Sequence, residues 1–149
     1  MCLDRKPTRD QIIRDFKKKI EVEKGSYVGY KIFQKHNKKL HAAIFDLRRP
    51  YELNTWIIDD NKATVNYIKT EGRYRCGFHV YINKEEAERV FEHYKRFHYK
   101  HKPVYSLRKI FFNKIIAYGY ENIVHFVSVD KLPDVRTIIT REMFIPKMR

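Results

Sequence analysis

The fold is decided by residues 76–97, which read CGFHVYINKEEAERVFEHYKRF. The first seven residues of this stretch alternate in the way that a strand with two different faces does. The two faces of this predicted strand carry Phe78, Val80 and Ile82 on one side, and His79 and Tyr81 on the other. The apolar face is therefore expected to point into the core.

A helix is predicted directly after this strand. Asn83 is a favourable N-cap, Glu86 stands three residues further on, and basic residues near the end of the segment suit the helix dipole. The apolar residues that recur at helical spacing are Ala87, Val90, Phe91, Tyr94 and Phe97. We expect a helix from Lys84 to about Phe97 that packs this stripe on a sheet that includes Phe78, Val80 and Ile82.

A second helix is predicted near the start of the chain. Thr8 and Gln11 form a capping box, apolar residues recur at helical spacing after them, and Gly25 ends the pattern. The segment is rich in lysine and arginine on its opposite face. We expect residues 1–25 to form a basic N-terminal helix at the periphery of the domain.

Runs of β-forming residues between turn-forming residues indicate strands over most of the remaining chain. The predicted strands cover residues 27–34, 39–45, 55–58, 63–69, 105–118, 123–129 and 135–145, with hairpin turns at 59–62 and 119–122. This order lacks the strand–helix alternation of a doubly wound fold. The sequence therefore predicts an α+β fold: one domain over residues 1–149, with two main helices and a largely antiparallel, twisted sheet.

The composition favours a polyanionic partner. The chain has 149 residues, of which 43% are hydrophobic and 15% aromatic, so it is not a disordered polypeptide, and its formal net charge is +14. It shows no apolar run of the ~20 residues that a membrane span needs, no signal-peptide pattern and only two cysteines. We expect a cytoplasmic or nuclear protein that binds nucleic acid or an acidic protein surface, without a membrane or a cofactor.

Basic and aromatic residues are interleaved between His93 and Tyr120, a stretch with seven Lys or Arg and no acidic residue. Cations neutralise phosphates, and rings stack on unpaired bases. A second cluster, 73–75, follows Gly72 and is expected to be a loop that presents two guanidiniums. The candidate nucleic-acid-binding residues are Arg73, Arg75, Lys95, Arg96, Tyr99, Lys100, Lys102, Tyr105, Arg108 and Lys109. The alternative interpretation is a solvated helix end whose aromatic residues belong to the core.

No motif of a known active site is present. The sequence has no glycine-rich phosphate loop and no nucleophile elbow, and no carboxylate or thiol stands at ligand spacing from the histidines. We therefore expect no metal site and assign no catalytic residue. His79 is interpreted as a half-buried histidine with a satisfied hydrogen bond, and the alternative is a general base or a stacking group.

Three short motifs occur in a fixed order: Gly29-Tyr30-Lys31-Ile32-Phe33, then Gly77-Phe78-His79 followed by a helix with Ala87, then Ile116-Ala117-Tyr118-Gly119. This order resembles small uncharacterised proteins of phages and other large DNA viruses, over residues 27–145. The resemblance implies an accessory viral protein, not a housekeeping enzyme. It transfers no catalytic residue to this chain.

Two other functions stay open beside nucleic-acid binding. A compact antiparallel sheet with the strand at His79 is also similar to ADP-ribosyltransferase cores, which would need a cleft for NAD. Tyr30, His79 and Glu142 are the candidates for that chemistry. The third function is a protein–protein inhibitor that occludes an acidic site on a host factor by mimicking a basic ligand.

Overall fold

A computed structural model describes residues 3–43, 49–96, 104–121 and 134–148 of the chain. The N-terminal helix consists of α1 (Arg9–Gln11), continued by a π-helical segment (Ile12–Lys17), and α2 spans Lys84–Arg96. The strands are β1 (Glu21–Glu23), β2 (Ser26–His36), β3 (Lys39–Ala42), β4 (Trp56–Ile58), β5 (Thr64–Asn66), β6 (Arg73–Arg75), β7 (Phe78–Tyr81), β8 (Val104–Glu121) and β9 (Val135–Phe144).

Four strands form a closed ring of antiparallel pairs, in which β2 pairs with β8, β8 with β9, β9 with β7, and β7 with β2. Strands β1 and β3 extend the sheet from β2, and β4 extends it from β9. Strands β5 and β6 form a separate two-stranded sheet. The predicted α+β class with a largely antiparallel sheet is confirmed, and the described elements form one compact domain.

The main sheet is covered on both faces, each by its own apolar cluster. On one face Phe78 and Val80 pack with the fully buried Phe16 of the N-terminal helix. On the other face α2 packs Ala87 and Val90 against Tyr81 and its sheet neighbours. The prediction that α2 packs on a sheet that includes Phe78 and Val80 is confirmed, and the face of β7 that the helix covers is the one that carries Tyr81. Alternation along a strand separates its two faces, but it does not say which layer covers which face.

Helix α2 is fixed to the sheet by its first turn. Asn83 caps the helix as predicted, because its Oδ1 accepts the backbone N–H of Glu86 at 2.9 Å. The carboxylate of Glu86 does not reach back to the cap but takes a forked ion pair from Arg136 on β9, with Nη2 to Oε2 at 2.7 Å. The last residue of the predicted helix, Phe97, lies outside the described residues.

The N-terminal segment is shorter as a helix and more deeply packed than expected. The capping box of Thr8 is confirmed, but the helix ends at Lys17, and the glycine expected to end it, Gly25, lies with a φ of 79° in the turn between β1 and β2. Both Leu3 and Phe16 are fully buried. The expectation of a peripheral helix over residues 1–25 is wrong, because the helix ends at Lys17 and its Phe16 is fully buried in the core on one face of the sheet.

The structure contradicts the predicted hairpin turn at residues 59–62 and the predicted loop at residues 73–75. Residues 59–62 do not join a hairpin, since β4 pairs with β9 and β5 pairs with β6. Residues 73–75 form β6 and not a loop. Composition marks such segments as turns, but it carries no information on distant pairing partners. The predicted strand 123–129 lies outside the described residues.

Replacing Phe16 by alanine should lower the free energy of unfolding by about 3–5 kcal/mol, because a fully buried ring leaves a cavity. This ring also makes edge-to-face contacts with Tyr118 and Tyr120, each at 5.4 Å between centroids. The matched control is Phe91→Ala on α2, which removes a half-buried ring and should lower the free energy of unfolding by only about 1–2 kcal/mol. Urea unfolding measures both, and equal losses would contradict the docking of the N-terminal helix.

Candidate functional site

The structure describes seven of the ten predicted nucleic-acid-binding residues. Tyr99, Lys100 and Lys102 lie outside the described residues. The structure describes the other candidates, and it distributes them over three places: β6, the C-terminal end of α2 and the first half of β8.

Arg73 and Arg75 are held by contacts with β5 and with the segment that precedes it. The Nε of Arg73 donates to Asn66 Oδ1 at 3.1 Å, and that of Arg75 donates to the carbonyl of Asn61 at 3.3 Å. Their neighbour Tyr74 packs in the cluster of Ala117, near the end of β8. Strand β6 pairs with β5 and, among the described strands, not with the main sheet, so no shared strand register sets these arginines beside the other candidates.

Arg108 and Lys109 are also engaged within the molecule. Arg108 Nη2 donates to the carbonyl of Pro146 at 2.9 Å. Lys109 Nζ lies 2.6 Å from Glu23 Oε2, and this hydrogen bond raises the pKa of Lys109. The charge of Lys109 is therefore balanced by a carboxylate.

The remaining candidates meet the tip of the β2–β3 hairpin. In the register of β2 with β8, Lys35 is opposite Val104 and Gln34 is opposite Tyr105. The ring of Tyr105 in turn lies 4.9 Å from that of Tyr94, at the end of α2. The sheet thus brings a hairpin tip and a helix end together. We call this surface the basic end; its residues are Lys35, Lys38, Lys39, Lys95, Arg96 and Tyr105.

All five cations of the basic end are exposed. The hairpin turn places Asn37 and Lys38 at positive φ, 50° and 65°, as a tight type I′ turn requires. Residues 26–43 contain no acidic residue. At the end of α2, Glu92 balances part of this charge, because its Oε1 lies 2.7 Å from Lys95 Nζ. The hydrogen bond from Lys95 and the charges of Lys95 and Arg96 lower the pKa of Glu92.

A cavity of about 530 Å³ lies next to the basic end, at the point where β2 and β7 separate. These two strands share a single backbone pair, Tyr30 with Tyr81, whereas β7 pairs with β9 over its whole length. Beyond that pair the strands diverge, and Lys31 and Ile32 line the space from β2 while His79 lines it from β7. The gap in the strand ring therefore forms the cavity.

The floor of the cavity carries a buried carboxylate. Glu121 is 1% exposed, and its Oε1 accepts the hydroxyl of Tyr81 at 3.4 Å while its Oε2 lies 3.4 Å from Thr137 Oγ1. Burial, reinforced by this carboxylate, raises the pKa of Tyr81 well above its ordinary value, so the phenol keeps its proton. The Nδ1 of His79 lies 3.9 Å from Oε2.

His79 and Lys31 are both pushed toward their neutral forms. Burial lowers the pKa of His79, and the neighbouring Glu121 offsets part of this. Its Nδ1 is buried without a hydrogen bond, so the 23% of the side chain that stays exposed lies on the rest of the ring. Lys31 Nζ donates to the carbonyl of His79 at 2.8 Å, and burial lowers the pKa of Lys31 to about 8.

Aromatic rings make up much of the remaining wall: Tyr51, Tyr74, Phe78, Tyr81 and Tyr94. Asp59, one of two aspartates interpreted as turn residues, also lines the cavity.

The backbone at Gly77 lies close to that of β9, since a Cβ on Gly77 would lie 2.6 Å from the carbonyl oxygen of Thr140. The glycine of the Gly77-Phe78-His79 motif is therefore required for packing.

Of the three residues considered for an ADP-ribosyltransferase, His79 alone lines this cavity among the described residues. Tyr30 is buried under α2, and Glu142 forms an ion pair with Lys114 at 2.9 Å. The expectation that His79 has a satisfied hydrogen bond is wrong for Nδ1. Sequence reasoning missed Lys31 and Glu121; the one signal for Lys31 is that it interrupts an apolar run in the middle of a strand.

The chain matches no family model, no curated protein and no solved structure in comparisons with each. No helix among the described residues is long and apolar enough to cross a membrane. Within the same residues, no three His, Cys, Asp or Glu side chains are grouped to hold a metal ion. The function is therefore argued from the basic end and the cavity.

The lowered pKa of Lys31 makes stability depend on pH. Between about 8 and its ordinary value of 10.5, the unfolded chain keeps a proton that the folded chain has released, so stability rises with pH. From pH 8 to 9.5 the wild type should gain at most about 2 kcal/mol relative to Lys31→Met. Urea unfolding at both pH values measures the difference. Exposed Lys62→Met is the control and should follow the wild type; a Lys31→Met profile parallel to the wild type would contradict the burial of this amine.

Proposed function

We propose that the protein binds single-stranded or looped RNA or DNA at the basic end. The observation that carries the proposal is the register of β2 with β8, which brings the hairpin tip with its lysines to the start of β8 and the end of α2. The rings of Tyr94 and Tyr105 at this place are partly buried against the apolar cluster under α2. Charge that is scattered over a surface gives only solubility, whereas grouped cations next to aromatic rings suit a nucleic-acid backbone with unpaired bases.

The physical basis is the release of counterions from phosphates. Each phosphate that a lysine or arginine neutralises steepens the slope of log affinity against log salt by about 0.9 on a DNA duplex and by about 0.7 on a single strand. The net charge of +14 also attracts polyanions over a longer range. We therefore expect binding with little sequence preference, because the contacts are made to the phosphate backbone and not to the base edges.

The other functions have less support. An ADP-ribosyltransferase needs its residues in one cleft, and Glu142 is committed to Lys114. An inhibitor of an acidic host factor would use the same basic end, so competition by an acidic protein is an outcome of the binding test. The sequence resemblance extends the proposal to a viral accessory role inside the host cell, in the cytoplasm or the nucleus.

Binding is tested by the fluorescence anisotropy of labelled single-stranded RNA and DNA, and of a duplex, between ~50 and ~200 mM salt. Lys38→Gln and Lys39→Gln should each weaken binding to all probes and lower the salt slope by about one. The matched control is Lys24→Gln. Lys24 is likewise exposed at positive φ in a turn, but it precedes β2 and lies about 35 Å from the hairpin tip along the strand.

Lys24→Gln should leave the salt slope close to that of the wild type. An equal effect at both ends of β2 would contradict a localised site. No binding of any probe at the lower salt concentration would overturn the proposal.

A further inference from the structure

Phosphate binding at the basic end gives no role to the cavity beside it. We infer that the cavity takes one unpaired nucleobase with its ribose, from a strand whose phosphates lie on the basic end; this rests on the proposed function. The inference depends on three features of the described residues: the continuity of the two surfaces, the rings in the wall and the balance of charge on the floor.

The two surfaces share the same elements. Lys31 lines the cavity and lies four residues before Lys35 on the same face of β2, about 13 Å along the strand. Ala42, at the other end of the short strand β3 from Lys39, lines the cavity as well. On α2, the cavity residue Tyr94 directly precedes Lys95. A strand held at the basic end therefore lies within about one or two nucleotides of the cavity.

The wall suits a flat, apolar ring system. Tyr51, Tyr94 and Phe78 line the cavity from three different parts of the chain. Bases stack on such rings regardless of sequence, because every base has a π face. The volume of about 530 Å³ falls within the usual range for small-molecule sites.

The charges on the floor argue against a phosphate inside the cavity. Lys31 supplies one cation, while Glu121 and Asp59 supply two carboxylates. Carboxylates repel phosphate but accept hydrogen bonds from ribose hydroxyls and from the amino groups of bases. His79 lines the cavity with part of its ring exposed, while its buried Nδ1 lies 3.9 Å from Glu121 Oε2, so a ligand can contact only the exposed part of the ring. A neutral nucleoside unit fits this floor, and the phosphates stay outside it.

The test uses a single-stranded oligonucleotide that contains 2-aminopurine, a fluorescent adenine analogue whose emission changes when it leaves the stack of its neighbours. Binding to the wild type should change this emission. Ala42→Phe places a ring in the cavity without altering any charge, so it should abolish the emission change and weaken binding by about 5- to 150-fold. Its salt slope should equal that of the wild type.

The matched control is Ala63→Phe, the same substitution at an exposed alanine outside the cavity lining, which should behave as the wild type. Ala42→Val fills less of the space and should give an intermediate loss. Circular dichroism shows whether each variant is folded. If Ala42→Phe is unfolded, the binding of Ala42→Val decides the test.

The failures of the two proposals are distinguishable. If the wild type binds the strand but the emission does not change, or if both Ala42 variants bind as the wild type does, the cavity inference is wrong and the basic end stands. If no strand binds, the proposed function fails. Adenosine and uridine are then titrated against the protein by NMR; a shift of the His79 ring signals supports the cavity, and no shift overturns it.

Discussion

The single backbone pair between Tyr30 and Tyr81 is the constraint on which the rest of the structure depends. One edge of β2 is shared by β1, β7 and β3, so β7 has room for only this contact before the strands diverge. The pair closes the strand ring, and the divergence beyond it opens the cavity. Gly29 permits the approach, since a Cβ there would lie 2.2 Å from Val80 Cγ1.

Two buried groups of polar side chains differ in how completely their hydrogen-bonding atoms are paired. Arg136 pairs with both oxygens of Glu86 and also donates to the carbonyl of Asp15, so it joins β9, α2 and the N-terminal helix. In the cavity, His79 Nδ1 lies near Glu121 at 3.9 Å without a hydrogen bond. The first group holds the layers together, whereas the second contains Lys31 and His79, whose pKa values burial lowers, and such perturbed groups cluster at functional sites.

Sequence reasoning succeeds where the signal is local. The cap at Asn83, the capping box at Thr8 and the long strand β8 follow from residue types at short spacing, and all three are present. It fails where two distant segments must meet. The turn composition of 59–62 does not reveal that β4 pairs with β9, and Glu121, assigned to a turn, is instead the carboxylate beside His79.

The sequence by itself determined the α+β class, the antiparallel sheet, helix α2 and the excess of positive charge, because these depend on periodicity, capping and composition. The tertiary structure alone decided which face of the sheet α2 covers and which cations are grouped. It also decided that Lys31, His79 and Glu121 share one cavity. These three residues lie on three strands far apart in the chain, and only the closure of the strand ring brings them together.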